Sequence, residues 1–164
     1  MSVVIKNRKA SFQYEFLEEF SAGIVLTGTE IKSIRNSQAS IAEAYCKIIN
    51  NELFILNMHI EIYSAGSYNN HELRRVRKLL LKRTELTKLV KKTKDVGLTI
   101  IPTKLFISEK GYAKINIALA KGKKLYDKRQ DLKKKDVKRD IDRAINTETE
   151  TEKQTHIHTV TNTC

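Results

Sequence analysis

Up to about Ala120, apolar and polar residues alternate along the chain with turn signals between the runs, the pattern of sheets with one buried face. The period of two is plainest from Tyr112 to Leu119, where Ala113, Ile115, Ile117 and Leu119 alternate with Lys114, Asn116 and Ala118. Lys110-Gly111 separates this run from Leu98 to Ile107, so the two are expected to form a hairpin. A second hairpin is expected from Tyr45 to Ile49 and Leu53 to Ile60, joined by Asn50-Asn51-Glu52, whose asparagines tolerate a tight turn. Tyr14 to Leu17 and Gly23 to Thr27 read as further strands.

Caps mark the helices. Thr27-Gly28-Thr29-Glu30 has the Thr-x-x-Glu spacing of a capping box and predicts a short helix ending near Asn36. Thr84 is placed to cap a second helix, with Leu86, Leu89 and Val90 on one face, Lys88, Lys91, Lys92 and Lys94 largely around the other, and Gly97 ending it. About six short strands with two or three short helices predict a mainly β fold. The expected form is a closed antiparallel six-stranded OB-like barrel with a basic C-terminal tail, an architecture that often binds oligonucleotides.

Beyond Ala120 the alternation stops, and three regions are expected: a β-barrel domain over 1–120, a basic arm over 121–145 and a low-complexity tail over 146–164. Lys121 to Arg143 carries eleven Lys or Arg against five Asp and too few apolar residues for a core. Val137, Ile141, Ala144 and Ile145 recur at helical spacing, and the pairs Asp131 with Lys135 and Asp140 with Arg143 add about 0.2 to 0.5 kcal/mol each. Such weak terms do not hold an isolated helix, so the arm is expected to fray in solution and become helical when it docks. The Thr-rich stretch from Thr147 is expected to be disordered.

Charge narrows the partner. A net charge of +12 over 164 residues favours a polyanion. The cations gather in two places: Arg74, Arg75, Arg77, Lys78, Lys82 and Arg83 around Leu79-Leu80-Leu81, and Lys121, Lys123, Lys124, Lys128 and Arg129. A single basic run is more often a solvated face, but two in one chain fit an extended polyanion. Tyr126, set among cations, is placed either to stack on a base or to cover the barrel's edge.

Catalysis finds little support. His71-Glu72 lacks the second histidine of a zinc-binding HExxH helix, and no GxxxxGK[ST], GxGxxG or GxSxG motif occurs. His156 and His158 read as solvated tail, Cys46 as a buried inert thiol, and two cysteines, Cys46 and Cys164, build neither a disulfide framework nor a four-ligand zinc site. No cofactor or metal is expected. Without an apolar run of signal-peptide or bilayer-spanning length, the expected location is cytoplasmic. Three other readings remain: an rRNA-coating ribosomal or assembly protein, a membrane-surface protein using 131–145 as an amphipathic helix, and an RNA-processing nuclease.

Four ordered motifs carry a resemblance: Asn7-Arg8-Lys9-Ala10, AGIVLTGTEIKSIR from Ala22 to Arg35, RKLLL from Arg77 to Leu81, and KGKKLYDKR from Lys121 to Arg129. Across Asn7 to Arg143 the sequence resembles the SsrA-binding protein (SmpB) family. The resemblance implies a monomer that binds the tRNA-like domain of transfer-messenger RNA (tmRNA) and delivers it to stalled ribosomes for trans-translation. It implies contact with the small-subunit decoding centre and messenger channel, and with elongation factor Tu only indirectly through the charged tmRNA. It implies an RNA surface of Asn7, Arg8, Lys9, Ser21, Lys32, Arg35, Arg77, Lys78 and Leu80. Lys121, Gly122, Lys123, Lys124, Tyr126, Asp127, Lys128 and Arg129 would form the ribosome-sensing arm. Glu30, Lys32 and Arg35 are equally readable as cap and solvated surface. Ser21 departs from the pattern, since many members carry an acidic residue there, and the Thr-rich tail lies outside the pattern.

Overall fold

The computed structural model describes the backbone of residues 3–161 and the side chains of residues 3–145. The chain runs β1 (Val4–Lys6), α1 (Arg8–Gln13), β2 (Tyr14–Ile24), α2 (Gly28–Arg35), β3 (Ala39–Ser40), β4 (Tyr45–Ile49), β5 (Glu52–Leu56) and β6 (His59–Ile60). It continues through β7 (Arg77–Leu80), α3 (Arg83–Lys92), β8 (Leu98–Ile107), β9 (Ala113–Gly122) and α4 (Leu125–Thr161). The fold is mainly β over the first 123 residues, and the chain parts into two compact units between Lys123 and Lys124.

Antiparallel pairing takes the large sheet through β1-β8-β4-β5-β7-β2-β9, and β9 then pairs back onto β8. The result is a ring of six strands, β8, β4, β5, β7, β2 and β9, with β1 added along β8 at Lys104 to Phe106, beyond the β4 contact at Ile100. The alternation selects the core: Phe20, Ala22 and Ile24 of β2 are buried together with Ile115, Ile117 and Leu119 of β9, Leu53 and Ile55 of β5, and Leu79 of β7. Ile34 of α2 and Leu89 of α3, both fully buried, join the same cluster. Each such aliphatic side chain contributes about 1.5 to 3 kcal/mol on burial. A smaller cluster of Ala10, Ile101 and Ala120, with Tyr14 and Phe16 against it, joins α1 to the sheet.

Local chemistry explains the joints. Asn50 and Asn51 both have positive φ, 51° and 59°, and Ile49 pairs with Glu52, so the turn is two residues long and Glu52 belongs to the strand. Gly111 at φ 85° closes the β8–β9 turn, where the Gly111 N–H donates to the Ser108 carbonyl at 2.8 Å. The register slips between Phe16 and Glu18 and again between Pro102 and Lys104, and the second slip accommodates a proline that has no N–H to give a ladder.

Several elements differ from the sequence expectation. Tyr14 to Ile24 is one strand with a slip at Leu17, so that Phe16 and Phe20, whose spacing of four would place them on one face of a regular strand, pack against different buried clusters. Arg77–Leu80 is a strand within what reads as a charged run, since its cations find carboxylates. Helix α3 starts one residue before Thr84, with Lys82 at the cap position and its N–H donating to Glu85 at 3.3 Å. Strand β1 and helix α1 were not anticipated, as neither is long enough to show a period.

Helix α4 extends along Leu125–Thr161, through the stretch expected to lack regular structure. Its ion pairs include Arg139 with Asp136 at 3.8 Å and Arg143 with Asp140 at 3.7 Å. Leu132, Val137, Ile141 and Ile145 are exposed along it. The readings made for His156, His158 and Cys164 fall outside the described side chains.

Candidate nucleic-acid interface

Asn7 is a structural keystone. Its Oδ1 accepts the Ala10 N–H at 3.1 Å as the cap of α1, and its Nδ2 donates to the carbonyls of Ile41 and Pro102, each at 3.0 Å. With all three side-chain contacts made inside the fold, Asn7 is buried and positions its neighbours Arg8 and Lys9, which are exposed on α1. A cavity of about 400 Å³ opens beside this helix, lined by Lys9, Gln13, Tyr14, Glu43, Tyr45 and Thr99 among others.

The basic run is consumed internally to a degree the sequence does not suggest. Arg77 is fully buried: its Nε donates to Glu30 at 2.9 Å and its Nη1 to the carbonyls of Met58 and Arg75 at 2.9 and 2.8 Å. Arg77 is therefore corrected from an RNA contact to a core residue, because a guanidinium with no accessible surface cannot meet a phosphate. Arg75 grips the same carboxylate from the outer side at 3.1 and 2.8 Å. Burial pushes the Glu30 carboxyl up, but the hydrogen bonds from Arg75 and the Thr27 N–H, with the Arg77 charge, outweigh it and bring the pKa down to about 2. Burial likewise pulls Arg77 down, against the opposing pull of Glu30.

Further cations are similarly engaged. Lys78 pairs with Glu52 at 2.7 Å, and Glu18 on β2 is clamped by Lys88 and by Lys92, the latter at 2.5 Å, so two lysines of the basic helix point at a carboxylate. Those hydrogen bonds hold the Glu18 carboxyl below the usual range. None of these pairings carries a sequence signal, except that the capping-box spacing marks Glu30 as special; its N–H partner is Thr27 at 2.8 Å. His71, buried, bridges Thr29 and the Ile60 carbonyl at 2.9 and 3.1 Å, which places it in the scaffold. Burial pushes the Cys46 thiol up, away from nucleophilic use.

The remaining candidates face outward. Leu80 is 53% exposed, an apolar side chain seated over Gly23, where an added Cβ would lie 3.5 Å from that of Leu80. Ser21 is exposed two residues before Gly23 on β2 and opposite Asn116 on β9. Lys32 and Arg35 are exposed on α2, the first over the Tyr63 ring at 5.3 Å. At the end of β9, Lys121 and Gly122 are exposed, and Lys123 is tied to α1 by its N–H on the Gln13 carbonyl at 3.0 Å and its Nζ on the Ser11 carbonyl at 3.2 Å. Lys124, Tyr126, Asp127 and Arg129 are exposed, with Lys128 half-buried, around the start of α4. Among the described residues no helix is long and apolar enough to cross a bilayer.

Comparison with known proteins places this geometry. The profile described as SmpB protein matches residues 4–147. An SsrA-binding protein of Cytophaga hutchinsonii is 62% identical over 82% of this chain and 88% of its own, and one of Phocaeicola vulgatus is 60% identical over 80% and 88%. A solved structure described as "tmRNA-SmpB: a journey to the center of the bacterial ribosome" aligns with a TM-score of 0.64 at 43% identity, covering 75% of this chain and 86% of that one. With the match running through both the strand ring and the first turns of α4, this chain belongs to the SmpB protein family.

Proposed function

We propose that this chain binds the tRNA-like domain of tmRNA and delivers it to stalled ribosomes, acting as a non-enzymatic factor in nascent-chain tagging and ribosome rescue. The strand ring is then an OB-like barrel forming, over residues 1–120, a rigid RNA-binding head. Ser21 and Leu80 present a polar and an apolar contact on its outer face, and Arg8, Lys9, Lys32 and Arg35 supply charge at its margins, with Lys78 meeting phosphate only in exchange for Glu52. Asn7 contributes by fixing α1. Residues 121–145 form the arm that enters the vacant messenger channel, with Gly122 at its bend, Tyr126 stacking on an rRNA base, and Lys121, Lys123, Lys124, Lys128 and Arg129 meeting phosphate. Asp127 completes its first turn. Docking stabilises the arm's helix by covering Val137, Ile141 and Ile145, which stand exposed along α4. The tail, 146–164, has no assigned part. The place of action is the cytoplasm, where the ribosome and tmRNA are.

The observation that carries this reading is the unbroken family match over residues 4–147, head and arm together. Purified chain is expected to prefer the tRNA-like RNA to a random RNA of equal length at matched salt. Removal of residues after Lys124 should leave that affinity largely intact while abolishing tagging on stalled ribosomes. Equal affinities for the two RNAs would overturn the reading.

A further inference from the structure

Helix α1 is held at both ends by residues distant in the chain. Asn7 caps its start and ties it to Ile41 and Pro102, and Lys123 closes its end. The last carbonyls of a helix have no partner within it, and in a helix of six residues they are a large share of the total. Lys123 supplies donors to two of them, its backbone N–H to the Gln13 carbonyl at 3.0 Å and its Nζ to the Ser11 carbonyl at 3.2 Å. The Tyr14 N–H donates to the Ala10 carbonyl in the ordinary helical way.

These bonds fall where the strand ring ends. Glu15 pairs with Lys121 and Tyr14 with Gly122, the last rungs between β2 and β9, and the Lys123 N–H adds one bond beyond them. Lys123 is also the last residue of the first compact unit, so Lys121 to Lys123, the first residues assigned to the arm, belong to the ring. Gly122 lies in strand β9 without a positive φ, and a side chain there would meet nothing within 4 Å, so the bend assigned to it is unused while Lys123 is held. Beside the joint, Tyr14 and Phe16 pack on Ala10, Ile101 and Ala120, which seats α1 against β8 and β9.

We propose that Lys123 is a positioning residue that anchors the arm's root to α1, the helix that carries the exposed Arg8 and Lys9. The anchor acts in the free protein, before any ribosome is met. Holding the root fixes the point from which the arm leaves the ring. A chain that engages its targets at two places gains from such a joint, because the effective concentration of the second contact falls as the connection loosens. The inference rests on the function proposed above for what the arm reaches, and deepens it by giving Lys123 a task that precedes phosphate contact.

The test uses the full chain and two readouts, one of which needs no RNA. In the free protein, the backbone amide at position 123 in Lys123→Met should lose about fivefold of its protection against hydrogen exchange, with the Ile117 amide in the core unchanged. Lys123→Arg, which keeps a charged donor of similar reach, should retain the parental protection. On stalled ribosomes Lys123→Met should tag about fivefold more slowly, and Lys123→Arg at the parental rate. Both variants should bind the tRNA-like domain of tmRNA within about twofold of the parent. Parental protection at position 123 in Lys123→Met would overturn the anchor, and a fall in ribosome affinity and salt slope alongside it would make Lys123 a phosphate contact alone. Lost protection with parental tagging would overturn the positioning role. Lost protection in a protein that shows no preference for tRNA-like over random RNA would support the anchor and sink the function proposed above.

Discussion

Arg75, Arg77 and Lys78 stand in the densest cationic run of the strand ring, yet each has a carboxylate against it, Glu30 for the first two and Glu52 for the third. Lys6, Lys104 and Lys114 are scattered along the sequence, converge on one face, and meet no carboxylate among the described residues. The difference shows that charge density along a chain does not measure positive potential at a surface. A clustered run recruits acids from distant elements as the sheet closes. Separated lysines on alternating outward positions keep their charge for a partner.

Substitution of Arg77 breaks the comparison most severely. Arg77→Ala leaves Glu30 buried with Arg75 as its one remaining cation and opens a void under β7, so urea unfolding at pH 7 should show a loss of about 3 to 5 kcal/mol. A surface cation would cost a small fraction of that, and a loss below about 1 kcal/mol would mean Arg77 is not the internal strut described here.

Acid titration addresses the same cluster from the carboxylate side. The folded pKa of Glu30, about 2, lies below its ordinary value near 4.5, so its stabilising contribution is fully present above pH 4.5 and disappears as pH falls through 2. The shift corresponds to roughly 3 kcal/mol. Stability measured between pH 5 and pH 2 should fall by about that amount more in the parent than in Glu30→Gln.

The sequence announced what local rules govern. The alternation from Ala113 to Leu119, the turn at Asn50-Asn51 and the cap at Thr27 and Glu30 each depend on residues within a few positions, and each stands in the structure as a strand, a turn and a helix start. The burial of Arg77 depends on Glu30 and Met58, 47 and 19 residues away, and nothing near Arg77 in the chain signals it. Asn7 misleads for the same reason, because its partners Ile41 and Pro102 come from distant elements. Leu80 and Ser21 entered only through the family resemblance, since Ser21 falls between the two strands expected there and Leu80 in a run not read as a strand; it takes the strands of the structure to set both outward. The arm was legible as a basic segment with an apolar stripe, since composition gives the charge and the short-range spacing of Val137, Ile141 and Ile145 gives the stripe.

The smallest expected effect sharpens the comparison by moving a pair of lysines from one class to the other. Glu18 holds Lys88 and Lys92 at a position only partly shielded from solvent, so these pairs contribute little to stability, and Glu18→Gln should leave the urea-unfolding midpoint nearly unchanged. The same substitution releases two charges on α3 that nothing else among the described residues pairs with. Freed lysines add counterion release without shape recognition. Affinity for a random RNA should rise about twofold to threefold, and its salt slope should steepen by up to about one, whereas affinity for the tRNA-like RNA should rise by less. If random-RNA binding is unchanged in Glu18→Gln, then pairing with carboxylates is not what keeps the cations of the first class silent, and their position on the ring must be the reason.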